Sequence, residues 1–364
     1  MITMDTVMAR GLTWWDQALF PRDEFEERTR VVQRVMAEEG LDALTIWSGY
    51  FHTRGDLAYL AGWPMGGALL VLREGEPVLF NPGGSREHHF ASQQVWCETR
   101  TSPGDVVKPL MAVIAAAGVH GGRIGVVGAD QIAADAYLRF EEATGAFQIV
   151  DLTDRYHAIR RSKRPREIMA IRLSARLAND AVTAGAVLAE DGRSNYAALV
   201  EIERIARIGG ARDFRGLTNG AGRGLRPFAG QDEGRHEPLI LWDAVDRHGY
   251  WGTPPYWSSG KDTPAERALE AMLAACRTGV PVSDMAELAL SELPADAHEL
   301  ALSFGLGNGI GLDLDEAPFI APDSDSVLLE NEVLALQVYA AGDPASFATA
   351  LVRSHSGGFE RLAG

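Results

Sequence analysis

Cysteine is scarce in this sequence. Only Cys97 and Cys276 occur, with no Cys-x-x-Cys pair and no Cys/His cluster, which excludes a disulfide framework and a structural zinc site. Long apolar runs are missing too: no stretch of about 18 apolar residues occurs, so the signature of a membrane-spanning helix is absent. Positive charge is in short supply. The 34 Lys and Arg stand against 50 Asp and Glu, a formal net charge of −16, and that opposes broad contact with nucleic-acid backbones or anionic lipid. Residues 1–20 contain Asp5, Arg10 and Asp16 and no apolar core of signal-peptide length, so a cytoplasmic location is expected. No Gly-x-Ser-x-Gly elbow is present. Ser354-His355-Ser356 is not a triad by adjacency, because triads assemble in space. The alternating Gly305, Gly307, Gly309 and Gly311 lack the strand-to-helix context of a phosphate loop.

What is present is an ordinary globular composition, 46% hydrophobic and 23% charged over 364 residues, which allows two domains with cores of their own. The first part alternates helix and strand signals. An amphipathic stretch opens at Pro21 and stops at Gly40; Ala43 to Ser48 reads as a buried strand; Gly67 to Arg73 and Pro77 to Phe80 read as a hairpin. A helix near 106–117, a strand at 123–127 and a helix near 133–144 follow, an α/β pattern. The basic run Arg160-Arg161-Ser162-Lys163-Arg164 ahead of Pro165 reads as a solvated interdomain linker. It divides the chain into domains 1–160 and 161–364.

In the second part long helices are expected at 165–190 and 195–208, with a strand at 238–245. Thr263-Pro264-Ala265-Glu266 is a capping box opening a helix to about Arg277, and Ser283 is expected to cap another. From Leu300 onwards the chain is strand-like and glycine-rich.

Several segments carry a resemblance. Arg160 to Ile171, the hairpin region Leu239 to Gly260, the closing stretches Glu330 to Tyr339 and Ala348 to Leu362 and, most specifically, Phe-Gly-Leu-Gly-Asn-Gly-Ile-Gly-Leu-Asp-Leu-Asp-Glu-Ala-Pro at Phe304 to Pro318 resemble the creatinase, aminopeptidase P and prolidase family. The resemblance covers nearly the whole chain. It implies an α/β (α+β) protein, with a creatinase-type α/β domain followed by a pita-bread domain.

The family's peptidases hold two divalent cations with two Asp, one His and two Glu, because close cations need anionic oxygen donors. By resemblance the first Asp falls on Asp243 and is retained. The second falls on Thr253, the His on Asn308, one Glu on Gln337 and the last near Phe347 or Ala348. Metal-free operation is therefore expected, with no cofactor. Creatinase, a metal-free member, uses a histidine for proton transfer, but that position falls on Arg226. Arginine stays protonated and suits a carboxylate clamp.

Asp243, Asp315 and Glu316 are the candidate proton-handling groups, and Arg226, Asn308, Gln337, Thr253, Trp251 and His248 the candidate substrate contacts. A turn role for Asp315 and a structural hydrogen-bonding role for Glu316 stand beside these. The aromatic hairpin Gly249 to Trp257 suits a cationic ligand or, equally, a core or dimer surface. The first expectation is a metal-independent enzyme hydrolysing a C–N bond in a small polar substrate, with cationic guanidino, amide and amino-acid-like compounds as the candidates. A non-hydrolytic lyase or isomerase of a biosynthetic pathway, or a catalytically silent binding protein, are the alternatives. By resemblance a homodimer is expected, with Phe51 to Trp63 approaching the partner's site; nucleic acid and membrane are not expected partners.

Overall fold

The computed structural model describes residues 16–49, 55–219, 224–227, 234–342 and 344–362. The first four residues of the Phe51–Trp63 stretch lie outside these. The chain divides into two compact units, Met1–Arg160 and Arg161–Gly364.

The first unit is a mixed six-stranded sheet with helices. In chain order its elements are α1 (Arg22–Glu38), β1 (Ala43–Ser48), α2 (Gly55–Ala61), β2 (Gly67–Leu72), β3 (Val78–Asn81), α3 (Ser85–Gln94), β4 (Glu98–Thr101), α4 (Val107–Ala116), β5 (Gly122–Val127), α5 (Ala134–Ala143), β6 (Phe147–Asp151) and α6 (Thr153–Arg161). The strand order is β4-β3-β2-β1-β5-β6. β2 and β3 form the expected antiparallel hairpin, while β1, β5 and β6 run parallel. Every residue of β1 is buried, which is why that strand reads as a continuous apolar run. In α1, Phe25, Val32 and Met36 form the buried stripe, and Gly40 at φ +66° takes the left-handed turn that ends it.

The basic run is not a solvated linker. Arg160 is buried and ion-paired with Asp56, whose carboxylate also lies 3.0 Å from His157 Nε2. Arg161 Nε donates to Glu332 at 2.6 Å, and the buried Lys163 Nζ donates to Glu316 Oε2 at 2.5 Å. Each cation meets an acid far away in sequence, a pairing that a local charge pattern cannot reveal.

The second unit contains α7 (Pro165–Glu190), α8 (Asn195–Ile208), β7 (Asp213–Asn219), β8 (Leu225–Pro227), β9 (Leu241–Arg247), β10 (Tyr250–Gly252), β11 (Tyr256–Ser258), α9 (Pro264–Ala275), α10 (Val282–Ser291), α11 (His298–Phe304), β12 (Gly307–Gly309), β13 (Glu316–Phe319), β14 (Val333–Ala340), β15 (Ser346–His355) and β16 (Gly358–Arg361). One sheet has the order β10-β9-β7-β8; the other runs β11-β15-β14-β12-β13, with β16 paired to β15. Each is backed by a helix pair. Leu177, Val182, Leu199 and Ile202 of α7 and α8 pack on Leu241 and Val245, while Leu269, Met272 and Met285 of α9 and α10 pack on Leu334, Leu336 and Val338.

Local chemistry sets the boundaries. Glu167 Oε2 accepts from Arg164 N at 3.0 Å and Pro165 fills the first turn, so α7 starts where the sequence says. Thr263 Oγ1 accepts from Glu266 N at 3.2 Å, but Glu266 reaches back to Asp262 N rather than to Thr263. Ser283 does not cap α10; the helix begins at Val282 behind Pro281. β9 starts at Leu241, later than expected, since the Pro238 carbonyl is taken by the Asn219 side chain at 2.8 Å.

Candidate functional site

Strand alternation assigns each side chain in the second unit to a face. In β14 and β15, Leu334, Leu336, Val338, Ala348, Ala350 and Val352 face α9 and α10. Ala335, Gln337 and Tyr339 take the opposite, helix-free face, with their ladder partners Leu351, Thr349 and Phe347. Asn308 pairs with Ala335 and joins them. In β9, Leu241 and Val245 face α7 and α8, so Trp242, Ala244 and Asp246 take the helix-free side. Two bonds from backbone N–H groups tie the two halves together: Gly224 N donates to the Tyr339 side-chain Oη at 3.0 Å, and Trp251 N donates to the Gly311 carbonyl at 2.7 Å.

The structure does not bring Asp243 to this face. Asp243 shares the face of Leu241 and Val245 and lies directly opposite Gly216, where a Cβ would come within 2.6 Å of Leu199 Cδ1 in α8. The carboxyl is fully buried on the helix side, and neither oxygen has a hydrogen-bond partner among the described residues. Burial alone pushes its pKa well above the usual carboxylate range.

The other expected residues divide. Thr253 is fully buried just beyond β10, its hydroxyl without a partner among the described residues. Asn308 spends its amide hydrogens on the carbonyls of Gly309 and Leu314, at 2.7 and 2.9 Å, which pins the glycine-rich loop. Gln337 is half-buried beside Thr349, whose hydroxyl donates to Leu336 O at 2.8 Å. Arg226 pairs with Thr218 in the β8–β7 ladder. Trp251 is buried with the Arg215 guanidinium 5.5 Å from its ring centre. His248 occupies the β9–β10 turn at φ +56°, about 16 Å along the strand from Asp243 at the usual rise per residue.

Asp315 is exposed, yet loss of solvent first and the charge of Asp313 second raise its pKa. Glu316 holds two structural contacts, the Lys163 ion pair and the Asp313 backbone N–H at 3.1 Å.

Sequence reasoning missed the aromatic filling. Phe347 is fully buried, with ring centres of Phe304 and Trp257 at 5.9 and 6.1 Å, and Phe304 also lies 5.9 Å from Tyr339. It also missed Trp242. The alternation of Leu241 and Val245 with Trp242 and Asp246 was the available signal. A two-cation centre does not fit these donors. The helix-free face presents hydroxyl, amide and indole groups with one carboxylate, Asp246, ion-paired with Arg212, and no grouping of three or more His, Cys, Asp or Glu able to hold a metal ion occurs among the described residues.

Residues 28–162 match the Creatinase/Prolidase N-terminal domain family, and residues 262–354 match Metallopeptidase family M24. No curated protein sequence matches the chain. Among solved structures, the X-Pro aminopeptidase of Thermotoga maritima is similar over 92% of this chain and 97% of its own, at 18% identity and a TM-score of 0.77. The prolidase of Pyrococcus horikoshii is similar over 93% and 98%, at 16% identity and a TM-score of 0.74. The N-terminal domain of a FACT complex subunit from Cicer arietinum (chickpea) is similar over 94% and 96%, at 15% identity and a TM-score of 0.65. These likenesses establish a shared fold.

Proposed function

Because the chain belongs to the creatinase and prolidase family of pita-bread proteins, a family of C–N bond hydrolases, and carries among its described residues none of the donor clusters a cation pair needs, we propose that it works without metal, binding a small polar ligand on the helix-free face of its C-terminal unit and cleaving no peptide. The carrying observation is the burial of Phe347 between Phe304 and Trp257. An apolar ring there supplies no donor to a cation and no acid to a reaction. With Asp243 turned to the helices and Glu316 tied to Lys163, two of the three expected acids are committed elsewhere. Gln337, Thr253 and Asn308 supply polar contacts and Trp251 shares their side, whereas Arg226, paired through Thr218 with Leu241, falls on the helix side and His248 in the turn beyond.

A second reading keeps the chemistry, as metal-independent C–N hydrolysis of a small polar substrate. Asp315 favours it, because an acid with raised proton affinity can donate and accept protons nearer neutral pH. A cytoplasmic homodimer accords with either reading; light scattering that reads a monomer at micromolar concentration removes the dimer.

The deciding experiment is an assay of X-Pro dipeptides with and without added Mn²⁺, alongside thermal-shift screening of small amides, carboxylates and guanidino compounds. No cleavage, together with ligand-induced stabilisation, is expected. Metal-dependent dipeptide cleavage sinks the proposal. Turnover of a stabilising ligand that disappears in Asp315→Asn selects the second reading.

A further inference from the structure

Resting on the ligand-binding reading above, we infer that the ligand offers hydrogen-bond acceptors, a carboxylate or an amide carbonyl, to the indole N–H of Trp242 and the hydroxyl of Thr253. Trp242 is nine-tenths buried in β9, opposite Leu217 of β7, and its Nε1 has no acceptor among the described residues. An indole nitrogen can only donate. Thr253 is fully buried and its Oγ1 is likewise unpartnered. Buried polar groups are rarely left this way, because their hydration is lost with nothing in return.

The two groups share one face. The hairpin pairs Trp251 with Asp246 and Gly252 with Val245, so one further step sets Thr253 across from Ala244 and diagonal to Trp242. Diagonal neighbours in a ladder stand about 7–8 Å apart, a gap that one carboxylate or amide spans from between them.

Charge on this part of the unit points the same way. The acids that might hold a cation already have one: Asp246 is paired through Oδ2 with Arg212, leaving only its Oδ1 without a partner among the described residues, Glu316 is paired with Lys163 and Asp213 with Arg215. Anionic oxygens hold cations; buried N–H and O–H groups hold acceptors. This reverses the cationic ligand that the aromatic hairpin suggests in the sequence.

The test follows the Trp242 indole N–H in ¹H–¹⁵N spectra of the full chain, identified by its loss in Trp242→Phe. N-acetylglycine, acetate and benzoate serve as acceptor probes and agmatine as the cationic probe. The acceptor probes are expected to shift that resonance, agmatine to leave it in place, and Trp242→Phe and Thr253→Val each to weaken acceptor binding by about tenfold. If Trp242→Phe fails to fold, slower hydrogen exchange of the wild-type indole with N-acetylglycine but not with agmatine decides the same point. A shift with agmatine and none with the acceptors overturns this inference and leaves the binding reading standing. No shift at any helix-free-face resonance with either class overturns both.

Discussion

Asp243 faces Gly216 across the ladder between β9 and β7, on the side where Leu199 of α8 packs. The pair shows that the acid best matched to the family's catalytic pattern belongs to the interior between sheet and helices. Its carboxyl has no partner among the described residues and its pKa is raised by burial, so folding retains a proton there that the unfolded chain releases near its ordinary value of 3.8.

The sign of the pH effect follows. With the folded pKa above the unfolded one, the penalty is absent below about pH 4 and grows as pH rises towards the folded pKa, by up to about 1.4 kcal/mol per unit. Asp243→Asn does not titrate. Its melting temperature is expected to exceed that of the wild type by more at pH 8 than at pH 5, with ligand affinity unchanged. Equal differences at the two pH values would show that Asp243 is solvated in the folded protein.

The Lys163–Glu316 pair makes a different prediction. Both side chains are buried, and a Cβ on Gly311 would stand 2.8 Å from Lys163 Nζ. Removing one partner strands the other charge. Lys163→Met alone is expected to cost about 3–5 kcal/mol in urea unfolding, whereas Lys163→Met with Glu316→Leu should recover most of that. If the single change costs under about 1 kcal/mol, the pair is solvated and Glu316 is available for chemistry after all.

Much of the fold could be read from the sequence wherever the signal was local. Gly40 ended α1, Pro165 and Glu167 opened α7, and Thr263 opened α9, each through bonds spanning three or four residues. The site was less legible because its determinants are non-local. The partner of Arg161 is Glu332, and the neighbours of Phe347 are Phe304 and Trp257. Asp243 misled for another reason. Its motif context places it in a catalytic role, whereas strand alternation places it on the face of Leu241 and Val245, among helices, and alternation decides where a side chain points.

Phe347 tests whether the helix-free face is filled. A ring fully buried against Phe304 and Trp257 leaves a cavity when truncated, so Phe347→Ala is expected to cost about 3–5 kcal/mol. Phe347→Glu should cost at least as much, because an unpaired carboxylate would replace the ring. A Phe347→Glu protein as stable as wild type would mean that water already reaches this position.

Gly252 connects the scaffold to the ligand face. A Cβ there would stand 2.5 Å from Ala175 N and 2.9 Å from Ser174 Cβ, both in α7. Ser174 Oγ donates to the Tyr250 carbonyl at 2.7 Å and holds β10 against the helix. The clash involves helix backbone, which cannot yield by a rotamer change, so Gly252→Ala must move β10 and carry Trp251 and Thr253 with it. A loss of about 1–3 kcal/mol is expected, with weaker ligand binding although residue 252 touches no ligand. Gly279→Ala is the control. It has open space around it and only a φ of +88° against it, so it should cost about 1 kcal/mol and leave binding unchanged. Urea midpoints and ligand titrations of the two variants measure this, and equal binding in both would separate β10 from the ligand site.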